Sequence, residues 1–251
     1  MTLVLVTALG VGGATVIGAL LGFCFGKINE KWNDGILGFA AGIMLAAAVL
    51  GLIVPSMESA GRSGLWMTVT GVLAGAFFLN LADKMTPHLH HLTGVHEEEH
   101  RNNSQIDKIM LFVMAIAIHN LPEGLAAGVA SGGQDMGNAV TVALGIALQN
   151  VPEGMVIISP MLLSGISRRR TFFIASMTGV VEVLGTFVGF FAAGLSGAIL
   201  PFALAFAGGT MLYVISDEMI PETHSHGHER LATYALIIGF LVMIVMDMMI
   251  G

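Results

Sequence analysis

Long apolar runs separated by short polar stretches dominate the chain and set its predicted architecture. Runs of about 20 apolar residues are long enough to cross the hydrocarbon core of a bilayer as helices. The continuous runs lack the roughly ten-residue alternating segments that are typical of a transmembrane β-barrel. We therefore predict an all-α, polytopic membrane protein that forms a single domain over residues 1–251. The eight predicted spans are residues 3–26, 35–57, 64–82, 107–130, 138–163, 171–194, 198–216 and 232–250.

The composition supports this class and excludes others. Of the 251 residues, 55% are hydrophobic and 11% are charged, whereas soluble domains contain roughly a quarter charged residues. So few charges exclude a soluble monomer and a disordered chain. The excess of 17 Asp and Glu over 10 Lys and Arg argues against nucleic acid as a partner. A single cysteine, Cys24, excludes an intramolecular disulfide and a zinc site built from cysteines.

The basic residues predict the orientation in the membrane. Nine of the ten Lys and Arg residues fall in the loops after spans 1, 3, 5 and 7, and Arg62 alone falls on the opposite side. The positive-inside rule assigns the richer side to the cytoplasm. Both termini are therefore predicted to be extracytoplasmic, which agrees with an even number of spans.

Two of the predicted cytoplasmic loops are rich in histidine and acidic residues. They cover residues 83–107 and 217–231, and they hold eight of the nine histidines. Imidazole and carboxylate groups are both ligands for divalent metals, so tracts of this kind favour such ions. A solvated polar linker has the same composition, and both interpretations remain open. The loop histidines are His88, His90, His91, His96, His100, His224, His226 and His228.

A short motif recurs inside two neighbouring spans. Residues 119–124 read HNLPEG and residues 149–154 read QNVPEG, 30 residues further on. Ionisable groups inside a membrane are costly and are by default candidates for a functional site. Proline lacks an N–H, so Pro122 and Pro152 are predicted to kink helices 4 and 5 and to free a backbone carbonyl in each. Paired helices broken in this way are typical of a transporter site.

The two motifs predict one shared site. Because residues four apart share a helix face, His119 lies over Glu123 and Gln149 over Glu153. Imidazole with carboxylates suits Zn²⁺, Fe²⁺, Mn²⁺ or Cd²⁺, and the lack of thiolate disfavours Cu(I). A buried hydrogen-bonded network that only fixes a kinked helix pair is the alternative. The predicted transport-site ligands are His119, Asn120, Glu123, Gln149, Asn150, Glu153 and, in span 6, Glu182.

With these motifs, the sequence resembles the ZIP (Zrt/Irt-like) family of metal-ion transporters, most closely its GufA-like bacterial branch. The resemblance covers essentially the whole chain and implies a binuclear metal site in the membrane. Some relatives carry Asp where this chain has Asn150, so the second site is less acidic here. The resemblance implies a first site of His119, Glu123, Gln149 and Glu153, and a second of Asn120, Asn150 and Glu182 that Glu123 and Glu153 bridge.

The resemblance also implies a route and a setting. Metal would pass into the cytoplasm across the bacterial inner membrane, with spans 1, 4, 5 and 6 moving as a unit against the rest. The protein would often form a homodimer in the lipid bilayer. The resemblance implies Met44 and Asp247 at the entrance, and Asp83, His88, Asp217 and Glu218 at the exit.

We therefore predict an importer of Zn²⁺ or a similar divalent ion, with the metal as substrate and no organic cofactor. An ATP-driven mode is unsupported because the chain has no G-x-x-x-x-G-K-[ST] motif. An intramembrane metalloenzyme is one alternative, although no H-E-x-x-H motif occurs. A metal-binding membrane protein that transports nothing is another. Export instead of import also remains open at this stage.

Overall fold

The computed structural model of the protein describes most of the chain. It covers residues 1–25, 28–60, 64–92, 104–133, 135–163, 165–194 and 199–250. Within these ranges, the side chains at position 83, over 85–92 and over 104–116 are left undescribed. The segment 93–103, which contains His96 and His100 of the first predicted loop, lies outside the described residues.

Eight long helices and no strand occur in the described ranges, which confirms the all-α prediction. Seven of them are long and apolar enough to cross a membrane, judged over the described residues alone. The remaining one, α4, carries the first of the two repeated motifs and continues as a helix through Pro122. The helices are α1 Thr2–Phe25, α2 Glu30–Ala60, α3 Leu65–Leu92, α4 Ser104–Gly132, α5 Met136–Leu163, α6 Arg168–Gly194, α7 Leu200–Thr223 and α8 Glu229–Ile250.

Several helices extend beyond the predicted spans. Helix α3 continues to Leu92 and α4 begins at Ser104, so both ends of the predicted loop 83–107 are helical. Helix α7 continues to Thr223, which makes the first part of the predicted loop 217–231 helical as well. Hydropathy marks only the part of a helix that suits lipid, whereas backbone hydrogen bonds continue the helix past the apolar run. Helices therefore extend into both predicted loops.

The helices pack as two groups of four. In the first bundle, which we define as α1, α4, α5 and α6, the most extensive packing joins α4 to α6 and α1 to α5. In the second bundle, defined as α2, α3, α7 and α8, it joins α2 to α8 and α3 to α7. The first bundle therefore contains every helix that carries a predicted transport-site ligand.

Glycines bring helix backbones into direct contact inside each bundle. A Cβ placed on Gly124 would lie 2.3 Å from the carbonyl oxygen of Glu182, across the contact of α4 with α6. In the second bundle, a Cβ on Gly42 would lie 1.9 Å from the carbonyl oxygen of Leu236 on α8. Small residues permit such close approach between helices in lipid. Both bundles are therefore held together by backbone-to-backbone packing.

The boundary between the bundles is packed differently. Met44 and Ala47 of α2 belong to one buried apolar cluster with Ala126 of α4 and Ile146 of α5. At this boundary Gly145 faces a side chain, since its Cβ would lie 2.7 Å from the Sδ of Met243. The two bundles thus meet mainly through apolar side chains.

Two helices of the second bundle each contain a π-helical turn that the sequence analysis did not predict. The turns are Ala47–Ile53 in α2 and Ile215–Met219 in α7. A proline follows each turn closely, as Pro55 and Pro221. Because Pro55 has no N–H for the carbonyl of Gly51, that carbonyl accepts a hydrogen bond of 3.1 Å from Asn138 Nδ2 of α5. π-Helical turns often occur at functional sites.

Candidate metal site

Three helices of the first bundle bring the predicted transport-site residues into its interior. Helices α4 and α5 each present one face of their motif, as the spacing of four residues requires. Helix α6 contributes Glu182, which is completely buried. All seven predicted residues are buried: His119, Asn120, Glu123, Gln149, Asn150, Glu153 and Glu182.

The carboxylate of Glu182 accepts hydrogen bonds from three other helices. Its Oε1 accepts from the Thr15 hydroxyl at 2.7 Å and from Asn120 Nδ2 at 2.5 Å. Its Oε2 accepts from Asn150 Nδ2 at 2.7 Å. The same Asn150 nitrogen also donates to the carbonyl of Val11 at 3.2 Å. Both oxygens of Glu182 are therefore held by polar donors of the first bundle.

Other polar atoms of this cluster make no hydrogen bond of good geometry among the described residues, although Gln149 lies close enough to Glu123 to stabilise its charge. They are both carboxylate oxygens of Glu123, both polar side-chain atoms of Gln149, and the Oδ1 atoms of Asn120 and Asn150. A buried polar atom without a partner costs about 1–3 kcal/mol. Oxygens left in this way are the atoms with which a metal ion can bind.

The acidic groups of the cluster interact electrostatically. Glu123 is close enough to Glu153 and Glu182 for their negative charges to repel. His119 lies within electrostatic range of Glu153. Several carboxylates in one buried region require protons or a cation for neutralisation. The cluster is therefore chemically suited to a cation.

The structure joins one predicted exit residue to this cluster. His119 Nε2 lies 2.5 Å from Glu218 Oε1, which belongs to the π-helical turn of α7. This contact crosses from the first bundle to the second. Asp217, the neighbouring residue in the same turn, is exposed. Glu218 is thus placed beside the predicted transport site, whereas Asp217 points away from the buried part.

The remaining predicted route residues lie on α2, α3 and α8. Met44 is completely buried in the apolar cluster at the bundle boundary. Asp247 is partly exposed near the end of α8. Asp83 and His88 lie on α3, with side chains outside the described residues. The entrance and exit roles of these residues stay predictions.

The described residues do not form a complete set of close metal ligands. Among the side chains described, no three His, Cys, Asp or Glu groups lie close enough to hold one metal ion. The predicted sites also use amide oxygens of Asn and Gln, which are weaker ligands than carboxylates. The assignment of a first and a second metal site stays a prediction.

The second histidine-rich loop is an ordered turn. His226 Nδ1 lies 2.9 Å from Oδ1 of Asp34, a completely buried residue of α2. This hydrogen bond raises the pKa of His226 above its ordinary value. His224 donates through Nδ1 to the carbonyl of Ile220 at 2.9 Å, and its Nε2 lies 3.1 Å from the Thr233 hydroxyl. The two histidines therefore fasten the loop to α2, α7 and α8.

Sequence reasoning missed Thr15 and Asp34, and it did not connect His226 with Asp34. Thr15 lies in an apolar run, and no motif marks it as the donor to Glu182. Asp34 and His226 lie 192 positions apart, so no spacing connects them. The one available signal was that Asp34 directly precedes the predicted span 35–57, where an acid that becomes buried needs a partner.

The fold and the site together define a polytopic helical membrane protein with a buried, cation-suited polar cluster. Comparison with known proteins gives the family. Residues 90–247 match the family model described as ZIP zinc transporter. The chain is 40% identical over 253 residues to the zinc transporter GufA of Myxococcus xanthus, covering 98% of each chain. The chain belongs to the ZIP family.

Further relatives agree with this assignment. The chain is 35% identical to the zinc transporter ZIPB of Bordetella bronchiseptica, over 95% of this chain and 78% of that protein. It is 33% identical to the zinc transporter ZupT of Chlorobaculum parvum, over 93% of this chain and 92% of that protein. Membership in a family of transporters confirms the predictions of a multi-pass membrane transport protein and of a protein that is not an enzyme.

Proposed function

We propose that this protein imports Zn²⁺ into the cytoplasm through the buried polar cluster of the first bundle. The observation that carries the proposal is the set of buried oxygens that lack a hydrogen bond of good geometry among the described residues, above all both carboxylate oxygens of Glu123. A divalent cation satisfies such oxygens and neutralises the neighbouring acids at the same time. Zinc is proposed because the similar proteins are named zinc transporters.

The proposed ligands form two adjacent positions for the ion. His119 supplies an imidazole nitrogen to the first position, which suits Zn²⁺ better than a hard cation such as Mg²⁺. Glu123 and Glu153 are proposed to serve both positions. The first position comprises His119, Glu123, Gln149 and Glu153, and the second comprises Asn120, Asn150 and Glu182 with the two shared acids.

The proposed transport step moves the first bundle relative to the second. Backbone contacts at glycines inside each bundle favour motion of each as a unit. Much of the boundary consists of apolar side chains, including Met44, and motion there would also have to break the polar contacts of Asn138 with Gly51 and of His119 with Glu218. Glu218, beside His119, is proposed as the first residue to receive the ion on its way out. Entry past Asp247, and exit by Asp83, His88 and Asp217, complete the proposed route.

The proposed setting is the bacterial inner membrane. The distribution of basic residues supports extracytoplasmic termini and cytoplasmic histidine-rich loops. A homodimer is proposed by resemblance to the family. The proposed metal site does not require the homodimer, because all of its proposed ligands belong to one chain.

Uptake of Zn²⁺ into proteoliposomes containing the purified protein tests the proposal. Glu123→Gln removes the charge but keeps the size, and we expect the initial rate to fall at least about tenfold. Glu58→Gln is the matched control, since Glu58 is exposed at the end of α2. That variant should transport like the parent. Parent-like uptake by Glu123→Gln would contradict the proposed site.

The same assay separates the alternative functions. A protein that binds metal without transporting it would bind Zn²⁺ yet give no uptake in the parent. An exporter would show flux in the opposite direction when the gradient and the side of addition are controlled. Import is supported only if uptake in the parent depends on Glu123 and proceeds from the extracytoplasmic side.

A further inference from the structure

The helix α1 residue Thr15 lies in contact with the proposed site without belonging to either repeated motif. It is completely buried, and its hydroxyl donates to Glu182 Oε1 at 2.7 Å. A hydroxyl that donates to a carboxylate forms a charge-assisted hydrogen bond, which is stronger than a bond between neutral groups. Thr15 therefore fixes the position of the Glu182 carboxylate from a third side, alongside Asn120 and Asn150.

Glu182 in turn decides which end of each asparagine amide faces the site. A carboxylate oxygen accepts hydrogen bonds, so the bonds to Glu182 engage the Nδ2 ends of Asn120 and Asn150. The Oδ1 ends are left buried and without partners among the described residues. An amide binds a metal ion through its oxygen, because its nitrogen carries two hydrogens and has no free electron pair to offer. The orientation seen here is thus the one that can bind metal.

We propose that Thr15 is a positioning residue for the metal site. It holds Glu182 so that Glu182 orients the amides of Asn120 and Asn150 with their oxygens available to the Zn²⁺ ion. Partners of this kind behind the ligands tune metal affinity. The inference rests on the proposed function, since it takes Zn²⁺ as the ion that these oxygens bind.

Substitutions at Thr15 test the proposal through the affinity for Zn²⁺, measured by calorimetry on the purified protein in detergent. Thr15→Val removes the hydroxyl at nearly constant volume, and we expect the affinity to fall about tenfold or more. Thr15→Ser retains the hydroxyl and should restore the parent affinity to within about twofold. In proteoliposomes the valine variant should raise the KM for Zn²⁺ more than it lowers the maximal rate.

Thr178→Val is the matched control. Thr178 is a buried threonine of α6, but its hydroxyl bonds only to the carbonyl of Ala175 within the same helix. Its variant should keep the parent affinity. Equal losses at both positions, parent-like binding by Thr15→Val, or a serine variant as weak as valine would each overturn the proposal. If the valine variant does not fold, Thr15→Ala also lacks the hydroxyl and is read by the same outcomes.

Glu123→Gln in the same binding assay separates this proposal from the proposed function. Parent-like Zn²⁺ binding by that variant would contradict the site itself. Lost binding by Glu123→Gln together with parent-like binding by Thr15→Val would contradict only the positioning role of Thr15.

Discussion

The two bundles are held together in the same way but bury different interiors. In both, glycines place one helix backbone against another, as at Gly124 in the first and Gly42 in the second. Within the described residues, the first bundle buries imidazole, carboxamide and carboxylate groups, whereas the second buries one acid, Asp34, in the first turns of α2. Its other buried polar residues are the hydroxyl residues Ser56, Thr68, Thr210 and Thr223.

The predicted transport-site ligands thus all lie in one bundle, and the other bundle has a mostly apolar interior. The acidic groups of the first bundle need protons or a cation for neutralisation, and backbone contact at Gly124 joins the helices that carry Glu123 and Glu182. Helices α2 and α7 of the second bundle meet the first bundle mainly through apolar side chains, with polar contacts at Asn138 and His119. Substitutions inside a bundle and at the boundary should therefore affect stability to different degrees.

The largest effect is expected from a glycine inside a bundle. In Gly42→Ala the new Cβ would meet the Leu236 carbonyl oxygen at 1.9 Å and the Phe240 nitrogen at 2.8 Å. Backbone atoms cannot rotate away, so α2 and α8 must separate. We expect a loss of about 3 kcal/mol in the free energy of unfolding, measured by thermal or denaturant unfolding in detergent.

Gly10→Ala serves as the control for that variant. A Cβ at Gly10 of α1 would meet nothing within 4 Å. Alanine is the better helix former by about 1 kcal/mol, so this variant should be as stable as the parent or more so. Comparable destabilisation by both variants would contradict the idea that backbone contact holds the second bundle together.

A smaller effect is expected at the boundary between the bundles. In Gly145→Ala the new Cβ would approach the Sδ and Cε of Met243 at 2.7 and 2.9 Å. Methionine has an unbranched, adaptable side chain, so the clash can be relieved by rotation. We expect less than about 1 kcal/mol of destabilisation. A loss as large as that of Gly42→Ala would show that the boundary is as tightly packed as the bundle interiors.

The smallest effect is expected from the contact of His226 with Asp34, the single buried acid described in the second bundle. The hydrogen bond that His226 donates to Asp34, and the negative charges of Asp34, Glu222 and Glu30, raise the pKa of His226. A raised pKa in the folded state means that protonation stabilises the fold. This contribution is complete below the ordinary histidine pKa, near 6.5, and disappears as the pH rises through the raised value.

The parent should therefore be more stable than His226→Gln at about pH 5, by less than about 1 kcal/mol because His226 is partly exposed. The advantage should vanish by about pH 9, well above the ordinary histidine pKa. Unfolding in detergent across this range measures the difference. His228→Gln is the control. A pH-independent difference between parent and His226→Gln would show that the charge on His226 contributes nothing.

The existence and order of the spans could be predicted from the sequence, but their ends could not. Lipid requires a long apolar run for each span, and such runs are visible directly in the sequence. Helices α3 and α7 continue into polar sequence as far as Leu92 and Thr223, where hydropathy no longer reports on the backbone. The π-helical turn at Ala47–Ile53 was also unpredictable, because an apolar run looks the same in an α-helix and a π-helix.

The class of protein and the residues of the candidate site could be predicted from the amino-acid sequence alone. Charges are too costly in lipid to recur without a use, so the repeated HNLPEG and QNVPEG segments were conspicuous without any structure. How these groups are held depends instead on the packing of the helices. The Thr15 hydroxyl reaches Glu182 across 167 positions of the chain, and His226 reaches Asp34 across 192. A single hydroxyl or imidazole group forms no sequence pattern from which its partner could be predicted. The packing of the helices selects that partner.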